Sequence, residues 1–511
     1  MNKFIIVIGL VLNFSLCLSQ NTLFDRHYEF GTWTAGWSMV NQQDTAFIVI
    51  GSNDSLISAV DHYSAIVSKF DSIGELVRVD QYLTTDTAFF QSFNANSGDQ
   101  FKSIIKTPDN NLLAVGLTQS YGATNYYDID ILLIKFNSNL DTLWSKAISH
   151  PSDTAFRPNQ IINTSDGGYL ICGWQNSFIS PNVRAFLCKI DSSGNFQWKK
   201  SYSNLTFTST IWSVAETSDH GFMCSGTTFN INQDGFATLF KVDSMGNFIQ
   251  NIFTSLQPDS YGSKIIQTID GNYLWSSLKP DGFNNYSFNF KKLSETGSLI
   301  WDKQFGLFKD GGPFGLLQNT DSTFIVSGQF GVPNQGGLAQ GVVMKLDSNG
   351  DSLWSRLYGT LTDFGKLWDI APCGEGGYVM CGETYCCNFT PGVGNTSSMW
   401  LVRTDSLGLL TGFNELVDIE LNIILGLPYP NPASDFFEVS FTIHNAQLPD
   451  KGQKGVELLL FDNIGKQIAS QTLPRGTDKA RFEMSKFAGG TYLVVLSIDG
   501  YNAGSRRIVK L

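Results

Sequence analysis

The stretch Asp166-Gly-Gly-Tyr-Leu-Ile-Cys-Gly173, continued by Lys189-Ile-Asp-Ser-Ser-Gly-Asn-Phe-Gln-Trp198, decides the fold because the chain keeps returning to it. The acidic turn recurs at Asp44, Asp109, Asp219, Asp270, Asp321 and Glu375. Seven residues after each comes a small residue: Gly51, Gly116, Gly173, Gly226, Ser277, Gly328 and Gly382. A basic residue closes the next apolar strand, at Lys69, Lys135, Lys189, Lys241, Lys292, Lys345 and Arg403. Nine residues beyond it stand Trp144, Trp198, Trp301 and Trp354, with Gln250 in one copy. Successive acidic anchors lie 65, 57, 53, 51, 51 and 54 residues apart. Between them apolar and polar residues alternate and Gly-rich turns intervene, the signature of short antiparallel strands.

A period of that length suits a unit of four strands stacked around an axis. Five residues before each anchor sit Met39, Ile104, Ile161, Val214, Ile265, Leu316 and Ile370; four before sit Val40, Ile105, Ile162, Ala215, Ile266, Leu317 and Ala371. Two adjacent apolar columns describe a strand covered on both faces, as the inner strand of a propeller blade is. The chain is therefore read as all-β, a seven-bladed β-propeller over residues 20–408. The last copy stops after Asp405, before its outer strand, while Leu23-Phe-Asp-Arg-His-Tyr28 matches Leu353-Trp-Ser-Arg-Leu-Tyr358. Residues 23–30 are thus expected to close the ring as the missing strand and so remove its open edges. The pattern resembles a bacterial propeller repeat family common in secreted proteins, which carries no single activity.

The repeat fades over 409–426, read as a linker, and 427–511 read as a small β-sandwich. Predicted strands there cover Phe436 to Ile443, Val456 to Asp462, Ala480 to Glu483, Thr491 to Ile498 and Gly504 to Leu511. The motifs Tyr429-Pro430-Asn431-Pro432-Ala433, Phe461-Asp-Asn-Ile-Gly465, Gly489-Gly490-Thr491-Tyr492-Leu493 and Arg506-Arg-Ile-Val-Lys510 resemble the type A sorting domain of the Bacteroidetes type IX secretion system. That resemblance implies the type IX machinery as partner and export through the periplasm and outer membrane to the cell surface or medium. Lys3, the apolar run Phe4 to Leu12 and Cys17-Leu18-Ser19 form a signal peptide over residues 1–19. A lipoprotein centred on Cys17 is the alternative, with Leu16 larger than lipidation wants. No later apolar run is long enough to span a bilayer.

The formal net charge of −12, with no Lys/Arg cluster, argues against nucleic acid as a partner. Charged residues make up 16 % of the chain against about 25 % in ordinary soluble domains, which fits turns built from Gly, Asn, Ser and Thr. Removal of residues 1–19 leaves seven Cys, an odd count and no disulfide framework; an oxidising compartment would allow one bridge, from Cys373 to Cys386 or Cys387. No H-E-x-x-H, G-x-S-x-G, P-loop or G-x-G-x-x-G occurs, and no metal, cofactor or catalytic residue is assigned. Asp347-Ser-Asn-Gly-Asp351 has its Gly at the fourth place, not the sixth of a calcium loop, and reads as a hairpin turn. One further column lies seven residues before each anchor: Trp37, Lys102, Asn159, Trp212, Ser263, Phe314 and Trp368. Either these aromatics pack between blades, or they face one mouth of the ring. In the second case they could stack on sugar rings, with Lys102 and Asn159 donating hydrogen bonds. The sequence reading favours a surface module binding glycan or protein. A secreted hydrolase with its site in the channel is the alternative.

Overall fold

The computed structural model describes residues 23–30, 33–57, 60–82, 98–119, 129–149, 154–177, 183–202, 208–230, 232, 234–280, 285–308, 311–331, 339–359, 364–385, 397–410, 422–425, 428–444, 456–461, 467–474, 478–498 and 501–510. The signal-peptide residues and Cys386 and Cys387 lie outside them.

Among the described residues, the repeats form three four-stranded sheets and two eight-stranded ones, each of the latter being two four-stranded antiparallel groups joined by a single parallel bridge, so that the groups correspond to the seven repeats. Their inner strands are Trp33–Asn41, Gln100–Lys106, Thr154–Asn163, Thr208–Glu216, Tyr261–Gln267, Gly311–Gln318 and Phe364–Pro372. Each touches the next, and the last touches the first, so the ring closes. The closing strand is the one read from sequence. Phe24–Tyr28 lies antiparallel on Ser397–Thr404 in register Phe24↔Arg403 to Tyr28↔Met399.

Seven apolar clusters, one between each neighbouring pair of blades, hold the ring together. The second strand shows how alternation works when both faces are covered. In blade 2, Leu112 and Ala114 pack toward blade 1, while Leu113 and Val115 pack toward blade 3. Of the two apolar columns, the first is buried at Met39, Ile104, Ile161, Val214, Ile265 and Ile370. The second is largely half-buried and borders the same clusters. Cys172 and Cys381 are buried strand residues, and burial pushes the Cys172 thiol up to about 12.

The other columns make contacts within blades and between them. Four of the seven basic residues reach back to their own blade's anchor: Lys135–Asp109, Lys189–Asp166, Lys241–Asp219 and Lys292–Asp270 lie at 2.7, 2.8, 2.7 and 2.6 Å, Lys345–Asp321 is longer at 3.9 Å, and Lys69 and Arg403 donate instead to the carbonyls of Ser138 and Ser72. The outer-strand Trp lies over the turn glycine of the following blade, Trp144 on Gly194, Trp198 on Gly246, Trp301 on Gly350 and Trp354 on Gly408. Phe24 covers Gly74 in the same way. Four residues on, Tyr202 and Tyr358 donate to the carbonyls of Gly246 and Gly408 at 2.7 Å, and Tyr28 donates to that of Gly74. The closing strand thus makes the contacts of any outer strand, across the two ends of the ring. Asp347 accepts from the amides of Asn349 and Asp351 at 2.8 and 2.9 Å, a side chain closing its own turn.

The tail carries two sheets, one of Asn422–Leu425, Phe436–His444 and Lys479–Glu483, the other of Gln467–Leu473, Val456–Phe461, Gly490–Ile498 and Tyr501–Lys510. Two elements depart from the sequence reading. Residues 422–425, placed in the linker, form an edge strand on Phe441–His444. Gln467–Leu473, a mostly polar segment, forms a strand along Val456–Phe461. Among the described residues no helix is long and apolar enough to cross a membrane.

Candidate functional site

Every inner strand carries a β-bulge at the same place. In blade 1, Gly36 pairs with Gly51 and Ser38 with Ile50, leaving Trp37 without a partner. The register skips Lys102, Asn159, Trp212, Phe314 and Trp368 in the same way, and Ser263 together with Lys264 in blade 5. A bulge bends its strand and re-aims the extra residue. Here it turns seven side chains toward one end of the axis. Trp37, Lys102, Asn159, Trp212, Ser263, Phe314 and Trp368 all line one cavity of about 390 Å³, joined by Tyr261, Lys264 and Leu278.

The bulge also explains the column of small residues. A Cβ at Gly51, Gly116, Gly173, Gly226, Gly328 or Gly382 would lie 1.8–2.2 Å from a carbonyl oxygen of the inner strand. The bent strand leaves no room for a side chain there.

Next to the bulge stands a polar column that the sequence reading passed over. Ser38, Ser103, Gln160 and Ser213 accept the amides of Ile104, Ile161, Val214 and Ile265 in the next blade, at 3.3, 3.3, 2.8 and 3.2 Å. Asp369 does the same for Met39 at 3.0 Å across the closure. These bonds tie the bulge to its neighbour at five of the seven blade junctions and give each of those amides a side-chain acceptor.

Three of the aromatics pack on one another across blades while also lining the cavity. Phe314 and Trp368 have ring centroids 4.3 Å apart, and Trp368 and Trp37 lie at 4.9 Å, so blades 6, 7 and 1 share one aromatic wall. Trp212, across the cavity, is 40 % exposed. Each indole is pinned from its own second strand: Trp37 donates to Ser52 at 2.8 Å, Trp212 to Thr227 at 3.4 Å, and Trp368 to Glu383 at 3.3 Å. Asn159 uses one amide hydrogen on the Ile211 carbonyl at 2.7 Å, and Ser263 donates to that of Pro313. Lys102 holds its ammonium 4.0 Å above the Trp37 ring. Burial pulls the Lys102 pKa down to about 8, against the opposing pull of the Glu383 carboxylate. Glu383 itself lies behind the wall, 1 % exposed, with Lys366 at 3.6 Å and the Tyr385 hydroxyl donating at 3.1 Å. Burial raises its pKa.

The tail brings its separated motifs together. Gly490, Thr491 and Tyr492 pair with Lys510, Val509 and Ile508 on the last strand. Asn431 accepts from the Val509 amide at 2.9 Å, and Ala433 donates to the Val509 carbonyl at 2.7 Å. Pro430 and Pro432, both after cis bonds, frame Asn431. Residues 428–510 match the family described as the secretion system C-terminal sorting domain. The tail is a sorting domain. It assigns the chain to type IX secretion and so to the cell surface or beyond.

No curated protein sequence matches the chain. A polysaccharide lyase of family PL25, an ulvan lyase, is similar in structure at 7 % identity and a TM-score of 0.47, over 75 % of this chain and 96 % of that one. An α-L-arabinanase of Penicillium chrysogenum complexed with arabinobiose follows at 11 % and 0.40, over 60 % and 93 %. A protein of unknown function from Dyadobacter fermentans stands at 11 % and 0.41, over 59 % and 94 %.

Proposed function

We propose that the propeller is a carbohydrate-binding module, displayed or released outside the cell after its sorting domain has carried it there. The signal peptide of residues 1–19 delivers the chain to the periplasm, the propeller of 20–408 travels as passenger, and the tail of 427–511 engages the type IX machinery. The convergence of Trp37, Trp212, Phe314 and Trp368 on one axial cavity carries this reading. Indole and phenyl rings offer flat apolar faces to the C–H face of a sugar, and a few polar groups fix its orientation. The volume of about 390 Å³ falls near the low end of ligand pockets, suited to one end of an oligosaccharide.

The hydrolase reading needs two carboxylates beside the scissile bond. Among the described residues lining the cavity none is Asp or Glu, and Glu383 is engaged behind Trp368. Binding is therefore the better supported of the two. Glycan-array binding by the mature chain, compared with a Trp37→Ala/Trp212→Ala/Trp368→Ala variant, tests it. The variant is expected to lose most of the signal, and equal signals would reject the cavity as the site. Deleting 427–511 is expected to keep the propeller inside the outer membrane, as read by surface protease accessibility. Undiminished surface display would reject the export assignment.

A further inference from the structure

The axial cavity has a sign of charge. Lys102 and Lys264 both line it, and neither forms an ion pair among the described residues. Lys264 reaches the cavity because the blade 5 bulge is wider than the others. Gly262 pairs with Ser277 and Ile265 with Trp275, so Ser263 and Lys264 together oppose the single residue Ser276. Ser276 clamps that arrangement, its hydroxyl accepting from the Lys264 amide at 3.1 Å and donating to the Lys264 carbonyl at 3.2 Å. Lys264 shares its cavity with residues from all seven blades, which places it near the axis.

The other charges around the wall do not cancel these two. Glu383 has Lys366 beside it, the Tyr385 hydroxyl and the Trp368 indole N–H. Asp369 accepts from the Ser38 hydroxyl at 2.8 Å and the Met39 amide at 3.0 Å. Arg157, 5.0 Å over the Trp174 ring, adds further positive charge felt by Lys102. Two half-buried lysines thus line a shared hollow walled by aromatic rings.

We propose that the cavity selects an acidic sugar, one bearing a carboxylate or sulfate, with the ring against the aromatic wall and the anionic group between Lys102 and Lys264. This rests on the carbohydrate-binding reading and names the class of sugar. A partly desolvated cation recovers in a charge-assisted hydrogen bond what burial took from it, which a neutral hydroxyl does only weakly. Such bonds are expected to separate acidic from neutral forms of one sugar by about tenfold to a hundredfold in Kd.

Titration calorimetry of the mature chain decides it, with trigalacturonate against its methyl ester and a sulfated galactan oligosaccharide against its desulfated form. The two pairs distinguish carboxylate from sulfate as the preferred anion. The acidic member of at least one pair is expected to bind at least tenfold tighter, and Lys102→Met/Lys264→Met is expected to erase the difference. Lys102→Arg/Lys264→Arg, which keeps the charges, is expected to retain a preference and controls for folding. Equal affinity within both pairs overturns the acidic-sugar inference while leaving the carbohydrate reading intact. Absence of binding to all four overturns both.

Discussion

Phe24→Ala is expected to loosen the whole ring although it alters one residue near its N-terminal end. Phe24 is 8 % exposed, covers Gly74 and meets the Phe47 ring edge-on at 6.3 Å. Truncating a buried Phe to Ala costs about 3–5 kcal/mol. The ring of roughly 390 residues, at about 2.1 cal/mol/K per residue, loses about 0.8 kcal/mol for each degree of Tm if it melts as one unit. The expected drop is therefore about 4–6 °C by differential scanning calorimetry. Leu143→Ala, half-exposed on the outer strand of blade 2, serves as control and is expected to shift Tm by under about 1 °C. If Phe24→Ala and Leu143→Ala melt together, the strand Phe24–Tyr28 contributes no closure and the argument for a clasped ring fails. Deleting residues 20–30 sharpens the test, because it also removes the Trp400 indole bond to Asp25 and exposes the edge of Ser397–Thr404.

Gly226→Ala places a methyl 2.0 Å from the Thr210 carbonyl oxygen and is expected to cost about 3 kcal/mol, the upper end of overpacking. Gly167→Ala, with φ of +82° and open space around it, is expected to cost only about 1 kcal/mol from backbone strain; urea melts giving the reverse order would discredit the bulge explanation of the glycine column. Asp219 is held at about 2 by the Lys241 ammonium and the Thr217 hydroxyl, below its ordinary 3.8. Its contribution is present above pH 3.8 and lost as pH falls through 2, so the stability gap between wild type and Asp219→Asn is expected to close over that window in acid melts. Lys102 has its pKa lowered, so the folded state binds fewer protons than the unfolded between pH 8 and 10.5, and its contribution to stability rises across that range. Lys102→Met is expected to melt higher at pH 7 and to lack that rise; a lower Tm at pH 7 would contradict the placement of a desolvated ammonium.

Architecture was legible because the chain states it seven times. A single apolar pair such as Ile104-Ile105 is ambiguous, but seven copies at matched spacing are not. The closing strand was legible because Phe24 and Tyr28 occupy the places of Trp354 and Tyr358. The column from Trp37 to Trp368 was found as a column, yet its cause was not. A bulge is defined by the residue the partner strand skips, and only the paired strand shows that. Its one trace in sequence, the glycines from Gly51 to Gly382, was read simply as a small-residue column. Lys264 was missed because blade 5 holds two residues in its bulge, and a fixed offset from Asp270 lands on Ser263. In the tail, the motifs pointed to the family, while Gln467–Leu473 was passed over because its edge position lets polar residues fill a strand.

The skipped position has one more implication. Because Trp37 and its six counterparts lie outside the backbone ladder, exchanging one for another leaves blade pairing largely untouched. The seven copies already hold Trp, Lys, Asn, Ser and Phe at that place. The scaffold therefore keeps its strand pairing separate from the choice of residues that line the cavity. Under the proposed carbohydrate-binding role, seven unlike residues around one cavity would let the preference be altered one blade at a time.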